Sequence, residues 1–135
     1  MSDSDLVKQL QHVTSGLLWM SESDYPFEVF VWDIKSAANS LTPQQLLRHV
    51  RRAPDTSVET LEVDRFFARA TRVQDWHDES QAQEVRQYQK LVKRLQEMLQ
   101  QVLVYRLGTV EVDIYIVGKT PSGNWAGLST KAVET

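Results

Sequence analysis

The residues best suited to general acid–base or metal chemistry are three histidines, His12, His49 and His77. Imidazole is the side chain that titrates nearest neutral pH and the commonest metal ligand. His12 and His49 have no second ligand three or four residues away on the helices that carry them, so each reads as a surface or half-buried histidine. His77, Asp78 and Glu79 are consecutive, and consecutive residues do not converge on one ion. Zinc sites use wider spacings such as H-x-x-x-H. The absence of cysteine removes thiolate ligands, a cysteine nucleophile and a disulfide framework. Ser129 and Thr130 follow Gly127 in GLST, but no G-x-S-x-G elbow surrounds them. The five glycines are scattered at 16, 108, 118, 123 and 127, so no phosphate-binding loop forms. Glu111 and Asp113 share one face of a strand, where solvation of an exposed surface is their expected role. No nucleophile, base and orienting group come together, so the sequence does not read as an enzyme.

Two features point to binding instead. Residues 1–34 hold Asp3, Asp5, Glu22, Asp24, Glu28 and Asp33 against Lys8, a balance of −5 in a chain of net charge −3. The segment 48–72 is basic, at +2. A pI of 5.6 argues against direct nucleic-acid binding, which favours basic domains. The run Arg86, Lys90, Lys93 and Arg94 is interleaved with glutamines and reads as a solvated helix face. Trp76 lies in a polar loop, where an indole either tucks against the core or serves as a protein-binding anchor.

These residues need a scaffold. With 135 residues and 41% hydrophobic composition, the chain suits one domain. Roughly two thirds of its unfolded surface should be buried. No apolar run approaches a membrane span, and the acidic start MSDSDLVKQL does not resemble a targeting peptide. A cytoplasmic protein without membrane contact is expected.

Leu6, Leu10, Val13 and Leu17 predict an amphipathic helix over Ser4–Ser15, ending near Gly16. Ser21–Pro26 reads as a loop. Phe27–Ile34 is a strand with Phe30, Trp32 and Ile34 on one face and Phe27, Val29 and Val31 on the other. Two apolar faces suit a central strand covered on both sides. Thr42-Pro43-Gln44-Gln45 is a capping box that opens a second helix, with Leu46, Leu47 and Val50 as its buried stripe. The stretch SVETLEVD predicts a strand, after which Asp64 is expected to cap a short helix carrying Phe66, Phe67, Ala68 and Ala70. Ser80-x-x-Gln83 predicts the cap of the longest helix, about Gln81 to Gln101. Leu103–Leu107 and Val110–Val117 predict strands joined at Gly108-Thr109. Thr120-Pro121-Ser122-Gly123 is a turn into a last strand, NWAGLSTKA. The order α-β-α-β-α-α-β-β-β indicates an α+β fold.

Three segments carry more than generic patterning: GLLWMSESDYPFEVFVW (Gly16–Trp32), FFARATRVQDW (Phe66–Trp76) and VYRLGTVEVDIYIVGKTPSGNWAGLSTKAVET (Val104–Thr135). Together they resemble the nuclease A inhibitor family, nearly end to end and in the same order. Its members are small intracellular proteins that block a sugar-non-specific DNA/RNA endonuclease of the same cell. The resemblance implies one domain over 1–135, a three-layer α/β/α sandwich with a largely antiparallel central sheet. It implies no cofactor of the inhibitor's own, the divalent metal, typically magnesium, belonging to the nuclease, and one inhibitor per nuclease (1:1) is the simplest stoichiometry.

The resemblance also implies site residues. Glu22 falls at the family's acidic contact, Trp76 at its aromatic contact and Thr135 at the C-terminal residue that approaches the nuclease metal. Asp24 stands where the family type has a glutamate, and is a further contact with a shorter reach. Asp75 and Glu134, next in the chain to Trp76 and Thr135, are weaker candidates for partner binding that the resemblance does not itself assign. A plug desolvates the Arg and Lys of a nuclease cleft, so it must return hydrogen-bonded negative charge. A carboxylate can replace a phosphate towards both guanidinium groups and a hard cation. The acidic N-terminal third would also speed encounter with a basic partner. The alternative reading is an adaptor of the same fold that binds a different basic protein.

Overall fold

The hydroxyl of Ser2 accepts the backbone N–H of Asp5 at 3.2 Å and starts the first helix, α1 (Asp3–Thr14). This computed structural model describes residues 2–19, 22–32 and 41–134. After α1 come β1 (Leu18–Trp19), β2 (Tyr25–Pro26), β3 (Glu28–Trp32), α2 (Pro43–His49), β4 (Val58–Glu62) and α3 (Val63–Phe66). They are followed by α4 (Glu79–Met98), β5 (Gln100–Leu107), β6 (Glu111–Lys119) and β7 (Trp125–Val133). Among the described residues no helix is long and apolar enough to cross a membrane.

Five strands form one antiparallel sheet in the order β3-β7-β6-β5-β4, and β1 and β2 make a separate two-stranded ladder. Alternate side chains of the large sheet divide between two apolar clusters, as the period-2 pleat requires. Val104, Ile114, Ile116 and Leu128 pack with Leu6 and Leu10 of α1 and with Leu91 and Leu95 of α4. Tyr105, Leu107, Val117 and Trp125 pack with Leu46 and Leu47 of α2. The two apolar faces of β3 follow this division, Val29 and Val31 joining the first cluster and Phe30 and Trp32 the second. Ile34 lies outside the described residues. The expectation of a central strand is corrected: β3 pairs with β7 alone among the described strands and sits at an edge. Two-sided apolarity reports what covers the faces of a strand, not how many neighbours it hydrogen-bonds.

The caps explain the helix boundaries. The Thr42–Gln45 capping box forms in full, with the Gln45 N–H donating to Thr42 Oγ1 at 3.2 Å. The expected cap of the long helix moves two residues upstream, where Asp78 Oδ1 accepts the Gln81 N–H at 2.7 Å and Gln81 Oε1 accepts the Asp78 N–H at 2.9 Å. Aspartate caps as well as serine does, so D-x-x-Q competes with S-x-x-Q two positions later. α4 ends at Met98 rather than near Gln101 because β5 begins at once. Asp64 does not cap α3. That helix leaves directly from β4, so its N-cap is Glu62, and Asp64 instead accepts a hydrogen bond from Gln96 Nε2 at 3.0 Å. α3 is also shorter than the apolar run suggests, leaving Phe67, Ala68 and Ala70 in the turn beyond it.

Polar contacts tie distant elements together. The Asp3 carboxylate accepts hydrogen bonds from Asn124 Nδ2 at 2.7 Å and Ser122 Oγ at 2.9 Å, joining the start of α1 to the β6–β7 turn. Asp113 does not solvate an exposed face as expected; it is half-buried and pairs with Arg52, just beyond α2. The basic face of α4 does read as a solvated one, with Lys93 and Arg94 within 4.0 and 3.8 Å of Glu97.

Candidate functional site

The segment carrying Glu22 and Asp24 is an outward loop because both of its flanks are anchored inward. On one side Trp19 stacks on Phe66 at 4.4 Å between ring centroids and meets Phe67 edge-on at 5.6 Å. On the other side Phe27 is buried in the same cluster. The β1–β2 ladder, Leu18 opposite Pro26 and Trp19 opposite Tyr25, closes the loop between them. Sequence periodicity could not show this ladder, since two residues per strand are too few to alternate. Its Tyr25–Pro26 strand falls inside the stretch expected to be loop.

Backbone contacts then fix the loop against its neighbours. The Glu22 N–H donates to the Val133 carbonyl at 3.3 Å, placing the loop beside the last residue of β7. Thr130 Oγ1 donates to the Pro26 carbonyl at 3.0 Å. The Tyr88 hydroxyl of α4 donates to the Leu18 carbonyl at 2.6 Å. Burial raises the Tyr88 pKa well above its ordinary value, and the Glu84 and Asp24 carboxylates push the same way. Asp24 is exposed and borders a depression with Gly16, Leu18, Ser80, Gln83 and Glu84.

Trp76 is 72% exposed, so the core alternative for this indole is excluded. Its loop is held by local polar contacts: the Gln74 N–H donates to His77 Nδ1 at 3.0 Å, and the His77 N–H to the Gln74 carbonyl at 3.1 Å. The His77 ring meets the indole edge-on at 4.3 Å. Trp76 walls a groove of about 680 Å³ with Leu18, Trp19, Phe66, Arg65 and Arg69. Leu18 and Glu84 border both this groove and the depression beside Asp24, so Asp24 and Trp76 flank one continuous stretch of surface. Asp75 is exposed next to Trp76.

The last described residues follow β7, whose Val133 carbonyl accepts the Glu22 N–H. Glu134 is exposed; its N–H donates to the Val110 carbonyl at 2.8 Å and its carboxylate pairs with Arg106. Thr135 lies outside the described residues.

The remaining candidates for chemistry have structural occupations. His77 accepts a backbone N–H, Asp78 caps α4 and the Thr130 hydroxyl holds Pro26. Among the described residues no group of three or more His, Asp or Glu is placed to hold a metal ion. What the surface offers is the exposed carboxylates of Glu22 and Asp24, an exposed indole and a groove lined by apolar side chains and two arginines. Sequence reasoning missed the groove, including Arg65, Arg69 and the stacked Trp19–Phe66 pair. The i,i+4 arginines around the Phe66-Phe67 pair were its only signal in the chain.

Comparison with curated proteins returns no match. Comparison with protein families returns one described as nuclease A inhibitor-like protein, matched over residues 4–135. The match takes in the acidic loop, the Trp76 turn and all five strands of the sheet, and the chain belongs to the nuclease A inhibitor-like protein family.

Proposed function

We propose that this protein inhibits a metal-dependent, sugar-non-specific DNA/RNA endonuclease by occupying its active-site cleft. Glu22 and Asp24 present carboxylates to the cleft's cations, Trp76 anchors the edge of the interface, and Thr135 approaches the nuclease metal with its α-carboxylate. Asp75 adds negative charge beside the indole. The metal, magnesium in this reading, is the nuclease's own. The inhibitor contributes no cofactor, binds neither nucleic acid nor membrane, and works in the cytoplasm in a 1:1 complex. The whole of 1–135 acts as one domain, a three-layer α/β/α sandwich, a reading supported by the two apolar clusters served by alternate faces of the sheet.

The observation that carries this reading is the Glu22 N–H to Val133 carbonyl bond. It sets an acidic loop and the end of β7 side by side within a family of nuclease inhibitors. Two acidic elements held by the fold need little ordering on binding, and preorganisation of that kind raises affinity. An interface of about 800 Å² per partner would take roughly a tenth of such a molecule's surface.

The test is a titration of the protein, intact and lacking Glu134 and Thr135, into a metal-dependent non-specific nuclease digesting plasmid DNA and RNA in excess magnesium. Stoichiometric loss of activity on both substrates, relieved by the truncation, is expected. Failure against such nucleases, including that of the same cell, would replace this reading with an adaptor of the same fold that binds another basic protein.

A further inference from the structure

The continuous surface that runs from Asp24 to Trp76 changes sign along its length. Among the described residues, the depression is bordered by Asp24 and Glu84 and by no cation. The groove carries Arg65 and Arg69, and the one carboxylate on its described walls is Glu84, where groove and depression meet. Both arginines are exposed. Among the described residues neither makes an ion pair, whereas Arg52, Arg94 and Arg106 each do.

The segment that presents the two arginines is anchored around them. Arg65 lies on α3 and Arg69 in the turn that follows. Between them Phe67 is fully buried, and Phe66 is stacked on Trp19. Just beyond, Thr71 Oγ1 donates to the Phe67 carbonyl at 2.9 Å, and the Thr71 carbonyl accepts a bond from Gln89 Nε2 of α4 at 2.8 Å. The guanidinium groups are thus carried by a backbone already in place, and a partner meeting them pays little for ordering it.

Against a surface of cations this pair would oppose binding, since like charges brought together at an interface repel. What complements the arginines is a carboxylate, which a guanidinium receives through two parallel N–H···O bonds. What complements the walls of Leu18, Trp19, Phe66 and Trp76 is an apolar side chain. At about 680 Å³ the groove has room for both.

We propose that the groove docks a nuclease segment in which an apolar side chain stands next to a carboxylate, the first packing on the aromatic wall and the second pairing with Arg65 and Arg69. This rests on the reading of Trp76 as a nuclease contact, because whatever fills the groove shares a wall with the indole. Arg65 and Arg69 are then specificity determinants. The acidic loop suits any basic cleft, while the arginine pair selects nucleases whose cleft has an acidic, apolar rim.

The experiment measures association and dissociation rates with the metal-dependent non-specific nuclease of the same cell. It compares wild type, Arg65→Glu with Arg69→Glu, and Trp76→Ala. Arg86→Glu with Lys90→Glu, on the solvated face of α4, is the control that adds the same charge elsewhere. Reversal of the groove arginines should speed dissociation about 10- to 100-fold, the loss of a charged hydrogen-bonded contact, and leave the thermal midpoint nearly unchanged. The control should alter association alone. Reversing the nuclease's exposed Asp and Glu residues to Lys, one at a time, should find one that restores binding to the arginine-reversed protein. Unchanged or slower dissociation after arginine reversal, while Trp76→Ala still weakens binding, would overturn the proposal and leave Trp76 in the interface. Absence of any restoring nuclease substitution would overturn it as well. Sedimentation of the free protein as a dimer that the arginine reversal dissociates would give the groove to a second copy instead. Undiminished binding by Trp76→Ala would remove the indole contact on which the proposal rests, and the proposal with it.

Discussion

The hydroxyl of Tyr88, on the long helix, donates a 2.6 Å hydrogen bond to the carbonyl of Leu18, on the short strand that leads into the acidic loop. The ring of Tyr88 is buried in the main cluster, so this bond ties the core to the short strand that borders the candidate surface. Burial first, then the Glu84 and Asp24 carboxylates, raise its pKa above the ordinary 10.0. An unfolded tyrosine ionises near pH 10 while the folded one keeps its proton, so stability is full below pH 10 and falls as pH climbs beyond it. Tyr88→Phe should cost about 1 kcal/mol at pH 7 and flatten the alkaline decline. Urea unfolding between pH 7 and 11 for both proteins checks the two effects together.

Trp76 separates binding from folding. With 72% of its surface exposed, Trp76→Ala should change stability by no more than about 0.5 kcal/mol. Affinity for the nuclease should fall by about 2 kcal/mol or more, as for a hot-spot indole. Calorimetric titration beside a thermal melt tests this, and unaltered affinity would remove Trp76 from the interface.

Glu22 allows the same separation by another route. Its backbone N–H makes the bond to Val133, and truncating the side chain leaves that bond in place. Glu22→Ala should therefore fold normally and bind about 1–3 kcal/mol more weakly, the range for losing a charged hydrogen bond. The loss should shrink as salt rises, because exposed charges are screened.

Asp3 predicts an acid limb. The Asn124 amide chiefly holds its pKa below the ordinary 3.8; burial opposes it, and the Ser122 and Thr120 hydroxyls assist. A carboxylate with a lowered folded pKa contributes stability above its unfolded value, and loses it as pH falls through the folded one. Asp3→Ala should lower the thermal midpoint at pH 7, and the gap from wild type should narrow below pH 4. An unchanged gap across pH 2–7 would show that the α1 to β6–β7 link does not depend on the charge.

Of the five glycines, Gly127 leaves the least room for a side chain. At φ +158° in β7, a Cβ built there would lie 1.7 Å from the Ile116 carbonyl oxygen, and main-chain atoms of the neighbouring strand cannot step aside. Gly127→Ala should abolish cooperative unfolding or leave the protein insoluble. Circular dichroism of the purified variant reads this directly.

Much of the scaffold was legible because it is written in local patterns. The stripe of Leu6, Leu10 and Val13, the Thr42 box and the alternation of β5 to β7 each lie within a few residues of chain. What escaped depends on distant partners. The edge position of β3 follows from β7 pairing with both β3 and β6. The Arg106–Glu134 brace joins residues 28 positions apart, and Arg52 meets Asp113 across 61. The acidic loop and Trp76 emerged from the family resemblance, whereas their shared border at Leu18 and Glu84 needed the fold. Competing caps such as Asp78 and Ser80 are nearly equivalent as short motifs, and packing of the helix decides between them.

The strand order has a consequence for biosynthesis. β3 is made well before its partner β7, which follows every other described strand in the chain. Until then one edge of β6 and the whole of β3 are without their neighbours, and the distance along the chain makes this closure slow relative to the local β5–β6 hairpin. A nascent chain halted before Trp125 therefore has neither a closed sheet nor a loop seated against Val133. The sheet is therefore completed only once β7 has emerged, and chaperone dependence should concentrate in the interval before it does.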